Sequence, residues 1–510
     1  MPSAAGIGVE NYMEFLIGLD IGTSAVKGIL IDKKGNLEGE ASSSYSVSNP
    51  KAGWSEQAPE DWWQATIEVL KELQSIVNSK KGDLAGISFS GQMHSSVFLD
   101  ENDNVIRPAI LWSDTRTSAE CQEIEERAGG RDKLIEMTGN KALEGFTAPK
   151  VLWLKNNEPE NYKKVASLLL PKDYIRFRLT GQKAMDLSDA AGTLMLDVKN
   201  KKWHKGLLKK LGIDEKILPP LVESTAVAGE ITKKASKLTG IAEGTPVVAG
   251  GADNACGAAG SGMVEEGQVM VSIGSSGVIL APADKYQAVP EGKLHMFNHS
   301  AKGKYYYMGV MLAAGQALSW YMDNVLPEDW DYEKLNAETA KIPAGSENLI
   351  FLPYLNGERT PHADASARAV FFGLSALHNR AHMARAIMEG VTFGLRDSLE
   401  LIKENGIDIK TVRAIGGGAK SRVWQQIIAD VFDKPVEILE IEEGPAYGAA
   451  LIAGVGVGIY SSLEEANQEL IKVRKVIEPD SKRAKKYNEL YHIYKDLYPT
   501  LKDNYKSLTV

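Results

Sequence analysis

An acidic residue stands inside an apolar segment near the start of the chain, just before a glycine and two small hydroxyl residues. Asp20 follows the run Leu16–Leu19 and is followed, after one apolar residue, by Gly22, Thr23 and Ser24. A buried carboxylate is costly unless it is paired, hydrogen-bonded or bound to a metal. Glycine and small hydroxyl residues let backbone N–H groups approach an anion closely. The pattern therefore indicates a Mg²⁺-nucleotide site, with a structural aspartate that accepts from turn amides as the alternative.

The same pattern occurs again about half a chain later. The strand-like run Val269–Ile273 precedes Gly274 and Ser275, and the apolar run Val278–Leu280 follows. Each copy predicts a tight β-hairpin whose tip presents amides to an anion. Two such hairpins indicate two similar domains that face one nucleotide between them.

Two further groups with chemical potential follow predicted strands. Met93 and His94 come directly after the buried strand Leu84–Gly91, where ligands of α/β sheets bind. Most histidines and methionines are only packed, so this position alone does not establish a ligand. Asp253 follows another strand and precedes an alanine-rich segment. The small neighbouring side chains leave space for a substrate hydroxyl beside Asp253, which could then act as its general base. A helix N-cap explains Asp253 equally well.

Three consecutive glycines, Gly416, Gly417 and Gly418, follow the predicted strand Thr411–Ile415. They suit the close passage of a nucleotide, although glycines in a turn are often only a turn. Their spacing is neither the dinucleotide fingerprint nor a Walker loop. The polar loop Gly357–His362 has no mechanism that the sequence identifies.

The composition excludes several classes of protein. The chain has 510 residues, enough for two domains, and a net charge of −9 without a dominant basic stretch. This argues against nucleic-acid and anionic-membrane partners. The two cysteines, Cys121 and Cys256, form neither a metal-ligand spacing nor a disulfide framework. Because Met1–Gly6 lacks signal-peptide features and no long apolar stretch occurs, we expect a cytoplasmic protein.

The elements that must position these groups alternate between strands and helices. We predict strands at Leu84–Gly91 and Ala109–Trp112, and helices that begin at Pro59 and span about Ala313–Tyr321 and His382–Asn405. Leu463–Asp503 has the pattern of terminal helices. The glycine- and alanine-rich segment Ala255–Gly262 marks the predicted domain junction.

Taken together, these segments resemble the FGGY family of carbohydrate kinases. The matching motifs are in family order and cover nearly the whole chain: Asp20–Ser24, Ser90–His94, Ile110–Arg116, Gly145–Trp153, Pro171–Tyr174, Ser188–Thr193, Gly251–Ala255, Gly274–Gly277 and Gly416–Val423. The resemblance implies an α/β fold of two duplicated actin-like ATPase (ribonuclease H-like) domains, with ATP in the interdomain cleft. We expect a sugar-binding domain over residues 1–256 and an ATP-binding domain with C-terminal helices over residues 257–510.

The resemblance also implies transfer of the γ-phosphoryl group of MgATP to the 5-hydroxyl of D-xylulose. It assigns Asp253 as the general base, and Asp20 and Asp253 as the carboxylates linked to the metal. The implied sugar site comprises Met93, His94, Trp112, Asp253 and Asn254. The implied nucleotide site comprises Gly22, Thr23, Ser24, Gly274, Ser275, Gln316, Gly417 and Gly418. The expected partners are the sugar and MgATP, and a homodimer is left open.

Three residues depart from the usual family pattern. Ser95 and Ser113 replace residues beside the implied sugar site, and Ser275 replaces a threonine, which is a mild change. Gluconate and ribulose are therefore alternative substrates, since Met93, His94 and Ser95 together also resemble gluconate kinases of the family. An actin- or Hsp70-like ATPase and a silent sugar-binding regulator are alternatives from other classes. The intact Asp20 and Asp253 argue against the regulator.

Overall fold

The computed structural model describes residues 13–441 and 444–508. The segment Met1–Gly6, on which the signal-peptide prediction depends, lies outside the described residues. Within the described part of the chain, no helix has both the length and the apolar character needed to cross a membrane.

The N-terminal half contains a mixed sheet of seven strands in the described residues. Six of them lie in the order Val227–Glu230, Pro246–Val248, Asp83–Gly91, Glu14–Ile21, Ala25–Asp32 and Leu37–Ser44, and Gly251–Ala252 also pairs with Asp83–Gly91. The strand Glu14–Ile21 is antiparallel to Ala25–Asp32 and parallel to Asp83–Gly91. Its residues from Phe15 to Leu19 are all buried, as a nearly continuous apolar run in a covered central strand requires.

The C-terminal half repeats this arrangement in a second sheet. Its strands lie in the order His295–Asn298, Tyr305–Met311, Gly277–Ala283, Gln268–Ile273, Thr411–Ile415, Val436–Leu439 and Val473–Ile477. Both sheets contain three antiparallel strands followed by two parallel strands and a final antiparallel edge strand. The second sheet has one more antiparallel strand, His295–Asn298, at its other edge. The repeated order confirms the predicted α/β fold of two duplicated domains.

Helices and short strands surround the two sheets. The α-helices of the described residues are Pro59–Ser79, Ser118–Ala128, Arg131–Thr138, Thr147–Asn157, Pro159–Tyr162, Pro171–Thr180, Leu187–Ala191, Lys205–Leu211, Lys233–Thr239, Asp253–Gly260, Gly315–Asn324, Tyr332–Thr339, Arg380–Glu404, Arg422–Phe432, Gly444–Gly456, Leu463–Leu470 and Ser481–Tyr505. The 3₁₀ turns are Glu215–Ile217, Pro290–Gly292, Ser346–Asn348 and Gly417–Lys420. The remaining strands are Glu56–Gln57, Val97–Leu99, Ala109–Ile110, Ser167–Leu169, Met185–Asp186, Leu196–Asp197, Lys202–Trp203, Leu221–Val222, Ile350–Leu352 and Val370–Phe372.

Two small-residue helices, Asp253–Gly260 and Gly444–Gly456, cross at the junction of the two halves. A Cβ atom on Gly448 would lie 1.8 Å from the Cys256 carbonyl oxygen, so only glycine permits this approach. The predicted boundary between residues 256 and 257 falls inside the first of these helices. The second helix comes from the C-terminal half but packs on the N-terminal strand Glu14–Ile21, where a Cβ atom on Gly18 would lie 2.0 Å from the Ala446 carbonyl oxygen.

Two element predictions were wrong. The segment Leu463–Asp503 is not only helical, because Val473–Ile477 forms the edge strand of the second sheet. Four of its five residues are exposed, and edge strands commonly carry charged side chains, which here resembled a solvated helix. The predicted strand Ala109–Trp112 ends at Ile110, so Trp112 lies in the loop that follows.

Candidate active site

The ends of three N-terminal strands meet at one edge of the sheet. Asp20 is in register with Ser90 on the neighbouring parallel strand, and Ser90 is in register with Gly251 on the strand beyond it. The chain reaches Asp253 immediately after that last strand, as the first residue of the helix Asp253–Gly260. Asp20 and Asp253, which are far apart in sequence, therefore lie at the same sheet edge.

The carboxyl group of Asp20 is hydrogen-bonded and its pKa is shifted by burial. The Ser90 hydroxyl donates to Asp20 Oδ1 at 2.8 Å. Burial raises the pKa of Asp20, and the Ser90 hydrogen bond and the Lys27 charge oppose this shift. The residue as a whole is half-buried.

The carboxyl group of Asp253 titrates close to neutral pH. Burial, followed by the negative charge of Asp20, raises the pKa of Asp253 to about 7. The Asn254 backbone N–H and side-chain Nδ2 donate to Asp253 Oδ1 at 2.6 and 2.8 Å, which opposes the shift. The helix N-cap is Ala252 and it makes no side-chain cap hydrogen bond. The structure therefore contradicts the simple N-cap explanation of Asp253.

A cavity of about 260 Å³ opens beside Asp253. All five predicted sugar-site residues line it: Met93, His94, Trp112, Asp253 and Asn254. The Asn254 Nδ2 lies 3.7 Å from the Met93 sulfur, so the residues after two different strands are in direct contact. The cavity has the small size and mixed polar and apolar lining that a monosaccharide site needs.

The backbone and ring of His94 are both fixed by hydrogen bonds. Its backbone has a positive φ of 69°. Its carbonyl oxygen accepts from the Thr147 hydroxyl at 2.9 Å and from the Lys150 ammonium at 3.3 Å. Its ring Nδ1 lies 2.6 Å from the Gly192 carbonyl oxygen. Burial, reinforced by the Lys150 charge, lowers the pKa of His94 to about 3, so the imidazole is neutral. Because the carbonyl can only accept, Nδ1 carries the proton and Nε2 carries a lone pair.

Several cavity residues were not predicted from the sequence. His295, Ser276 and Arg359 line the cavity from the C-terminal half, and Lys150 is buried behind it with its pKa lowered to about 7 by burial. His295 belongs to the strand His295–Asn298 and stands in no local motif. Arg359 belongs to the loop Gly357–His362, and the polar character of this loop was the one available signal.

A second cavity of about 500 Å³ lies in the C-terminal half. Four predicted nucleotide-site residues line it: Gly274, Ser275, Gly417 and Gly418. Its apolar walls include Leu318, Leu335 and Trp424, which suit a flat heterocycle. Gln316 is exposed in the first turn of the helix Gly315–Asn324, and its side chain accepts from Asn356 at 3.4 Å.

The second hairpin tip separates the two cavities. Ser276 faces the cavity that contains Asp253, whereas Gly274 and Ser275 face the larger cavity. The two cavities are therefore lined by adjacent residues of one hairpin tip.

The first hairpin tip lies on the N-terminal side of this arrangement. The Trp112 indole donates to the Thr23 hydroxyl at 3.0 Å, which ties the tip to a sugar-site residue. The Gly22 carbonyl accepts from the Tyr45 hydroxyl at 2.6 Å, and the Ser24 carbonyl accepts from the Tyr45 N–H at 3.0 Å. These contacts hold the tip in one conformation beside Asp20.

Ser95 and Ser113, the two departures from the family pattern that were expected beside the sugar site, do not line the cavity. Ser95 is fully buried, and its hydroxyl donates to Gln92 Oε1 at 3.0 Å and accepts from the Trp112 N–H at 3.0 Å. Ser113 is exposed and is absent from the described lining of the cavity. Ser95 therefore supports the loop behind His94 and Trp112 instead of contacting a ligand.

The donor set at this edge suits a magnesium ion that is shared with phosphate. Asp20 and Asp253 repel each other enough that the charge of Asp20 raises the pKa of Asp253. Within the described residues, no group of three or more acidic, histidine or cysteine side chains forms a complete metal site. Mg²⁺ is usually bound by one or two carboxylates together with substrate phosphates and water, so the residues present fit this ion.

Comparison with known families distinguishes the classes of ATPase that share paired hairpins. The N-terminal domain model of the FGGY family of carbohydrate kinases matches residues 15–260, and its C-terminal domain model matches residues 269–457. The chain belongs to the FGGY family of carbohydrate kinases. This membership argues against the actin- or Hsp70-like alternative, and it establishes ATP and a sugar as the substrates of this carbohydrate kinase.

Individual FGGY kinases resemble this chain over nearly its full length. A xylulose kinase from Bacillus subtilis is 48% identical over 491 residues, which cover 96% of this chain and 98% of that protein. A gluconate kinase structure from Lactobacillus acidophilus has a TM-score of 0.93 at 30% identity, with 98% and 100% of the chains covered. A ligand-bound xylulose kinase structure from the same organism has a TM-score of 0.92 at 30% identity, with 97% and 100% covered. The fold alone therefore does not separate the two sugars.

Proposed function

We propose that this FGGY kinase transfers the γ-phosphoryl group of ATP to the 5-hydroxyl of D-xylulose, with Asp253 as the general base. The observation that carries the proposal is the pair of cavities that meet at residues 274–276, with Asp253 in the smaller one. The sugar occupies the smaller cavity and the adenosine the larger one. The γ-phosphate then points across the hairpin tip toward Asp253.

Asp253 has the properties that a general base for a sugar hydroxyl needs. It stands at the wall of the sugar cavity, and its pKa of about 7 lies near the operating pH, where a base is most effective. In the proposed step, the 5-oxygen forms a bond to the γ-phosphorus while the bond from phosphorus to the ADP oxygen breaks. The hydroxyl proton passes to Asp253, and ADP leaves with the electron pair of the broken bond.

The carboxylates of Asp20 and Asp253 would hold the magnesium ion that accompanies ATP. When bound, Mg²⁺ neutralises charge on the phosphates. The backbone of the two tips completes this stabilisation. The Gly22 and Gly274 amides already close their own turns, to Ala25 and Ser276 carbonyls at 3.0 Å each. We therefore assign the phosphate contacts to the amides of Thr23, Ser24 and Ser275.

The substrate proposal rests on the sequence relatives rather than on the fold. The xylulose kinase from Bacillus subtilis shares 48% of its residues with this chain, while the gluconate kinase structure shares 30%. The two cysteines of the described chain are both free thiols, which supports the proposed cytoplasmic location. The homodimer stays a prediction.

A substrate screen tests this function. ADP release would be measured with ATP and each of D-xylulose, L-ribulose, D-ribulose, gluconate and glycerol at several concentrations. We expect the highest kcat/KM with D-xylulose, and phosphate on the 5-oxygen of the product. A higher kcat/KM with gluconate or ribulose would refute the substrate assignment, and sugar-independent ATP hydrolysis would refute the transfer itself.

A further inference from the structure

Arg359 brings a cation into the sugar cavity from the C-terminal half of the chain. It lines the cavity together with His94 and His295, and its side chain is half-buried. Among residues 13–441 and 444–508, no hydrogen bond or ion pair of its guanidinium is present. A guanidinium has five N–H donors, so this group can bind an acceptor on a ligand.

The loop around Arg359 is fixed on both sides of this residue. The buried Glu358 carboxylate accepts from the Arg359 N–H at 2.6 Å and from the Leu312 N–H at 3.1 Å. Thr360 binds Val310 twice, through its N–H at 3.0 Å and its hydroxyl oxygen at 3.1 Å. Val310 itself lines the cavity. Arg359 is therefore held at the wall by its neighbours and does not depend on a partner for its own side chain.

The two histidines that line the cavity together with Arg359 offer acceptors to a ligand. His295 Nδ1 lies 3.0 Å from Asn140 Oδ1. The Asn140 Nδ2 donates to the Met296 carbonyl oxygen at 2.9 Å, so it is the Asn140 oxygen that faces His295. His295 therefore carries its proton on Nδ1, as His94 does, and burial lowers the pKa of His295 well below its usual value. Both Nε2 atoms have lone pairs, so on a neutral sugar they can accept hydrogen bonds from the hydroxyl groups but not bind the carbonyl oxygen.

The charge of Arg359 shows which cavity residues lie near it. The charge of Arg359 acts on both His94 and His295 and helps to lower their pKa values. The charge that acts on Asp253 is instead that of Asp20. Arg359 therefore lies in the cavity near the two histidines.

The proposed reaction requires a sugar with a free carbonyl group. In the furanose ring of a 2-ketopentose the 5-oxygen is already bonded to C2, so only the open chain can be phosphorylated there. The open chain has four hydroxyls and one carbonyl oxygen at C2. That carbonyl oxygen cannot donate, so the lone pairs of His94 and His295 cannot bind it, whereas a guanidinium can.

We propose that Arg359 donates to the C2 carbonyl oxygen of the ketose and is a residue that selects ketoses over alditols. The inference rests on the proposed function, because it takes the sugar to be a ketose with its 5-hydroxyl at Asp253. An alditol carries a hydroxyl at C2, and the cation discriminates against it because a carbonyl oxygen is the better acceptor at that position.

The test compares the ketose with its two reduced forms, xylitol and D-arabinitol. The values of kcat/KM for D-xylulose and of kcat/KM or Ki for each alditol are measured for the native enzyme, Arg359→Met and Arg359→Lys. We expect Arg359→Met to lower kcat/KM for D-xylulose by about 10- to 100-fold, as for loss of a charged hydrogen bond. The alditol values should change much less, and Arg359→Lys should restore part of the preference. Lys141→Met is the matched control, because it removes a nearby cation that does not line the sugar cavity.

Alditol binding also reports whether each variant is folded. An unchanged ratio of D-xylulose to alditol values in Arg359→Met would overturn the inference and leave the proposed function intact. The same loss of preference in Lys141→Met would overturn it as well, because a general field effect would then explain the result. If the native enzyme does not phosphorylate D-xylulose, the proposed function fails and the inference fails with it.

Discussion

The pKa of Asp253 predicts a loss of activity on mild acidification. Its value of about 7 arises from burial first and from the negative charge of Asp20 second. A general base must be ionised, so the activity is present above this pKa and is lost as the pH falls through it. The ionised fraction falls from about nine-tenths at pH 8 to about one-tenth at pH 6. We therefore expect kcat/KM to fall about tenfold between these pH values.

The assay is a direct measurement of ADP from pH 5.5 to 8.5, which avoids coupling enzymes that respond to pH themselves. Both substrates are kept below their KM, so that the profile reports the groups of the free enzyme. An aspartate with the ordinary pKa of 3.8 would give a flat profile over this range. A flat profile would therefore refute the assignment of a perturbed Asp253 as the base.

The Asp20→Asn variant tests the cause of the shift. Removing the charge of Asp20 should move the midpoint to lower pH, because a neutral neighbour no longer opposes ionisation of Asp253. The total rate also falls, since Asp20 is a proposed magnesium ligand. The informative result is therefore the midpoint of the pH profile and not the height of its plateau. A midpoint unchanged from the native enzyme would contradict the like-charge explanation.

Further predictions concern two glycines. Gly417→Ala should raise KM for ATP at least severalfold, because the added Cβ atom enters the nucleotide cavity. The melting temperature should not fall, because this Cβ atom meets no protein atom within 4 Å. An unchanged KM would argue against adenosine at this position. Gly448→Ala should lower the free energy of unfolding by about 1–3 kcal/mol, because its Cβ atom would lie 1.8 Å from the Cys256 carbonyl oxygen. Chemical denaturation measures this loss, and native stability would contradict the described helix crossing.

Much of the fold followed from local patterns in the sequence. The strand Thr411–Ile415 has the predicted bounds, and the helix that begins at Pro59 carries proline in its first turn, as expected. The paired hairpins indicated the duplication because each contains its own apolar strands and small-residue tip. The edge strand Val473–Ile477 was missed because exposed charged residues at a sheet edge do not alternate as half-buried strands do.

The candidate site was predictable only where a motif carries its own signal. Asp20 was conspicuous because a carboxylate in an apolar run needs an explanation, and Met93 and His94 follow a clear strand. His295 and Arg359 come from distant segments of the C-terminal half, and tertiary packing alone brings them to the cavity. The close crossing at Gly448 was likewise invisible, because the small residues indicate close packing but do not name the partner helix.

The most direct test of the account is the turnover of Asp253→Asn with D-xylulose and ATP. The substitution preserves the shape and the contact to Asn254 while it removes the base. We predict that kcat falls by about 10²–10⁴-fold, while the dissociation constant of ATP without magnesium stays within about threefold of the native value. Turnover close to that of the native enzyme would contradict the central claim that Asp253 takes the proton of the sugar hydroxyl.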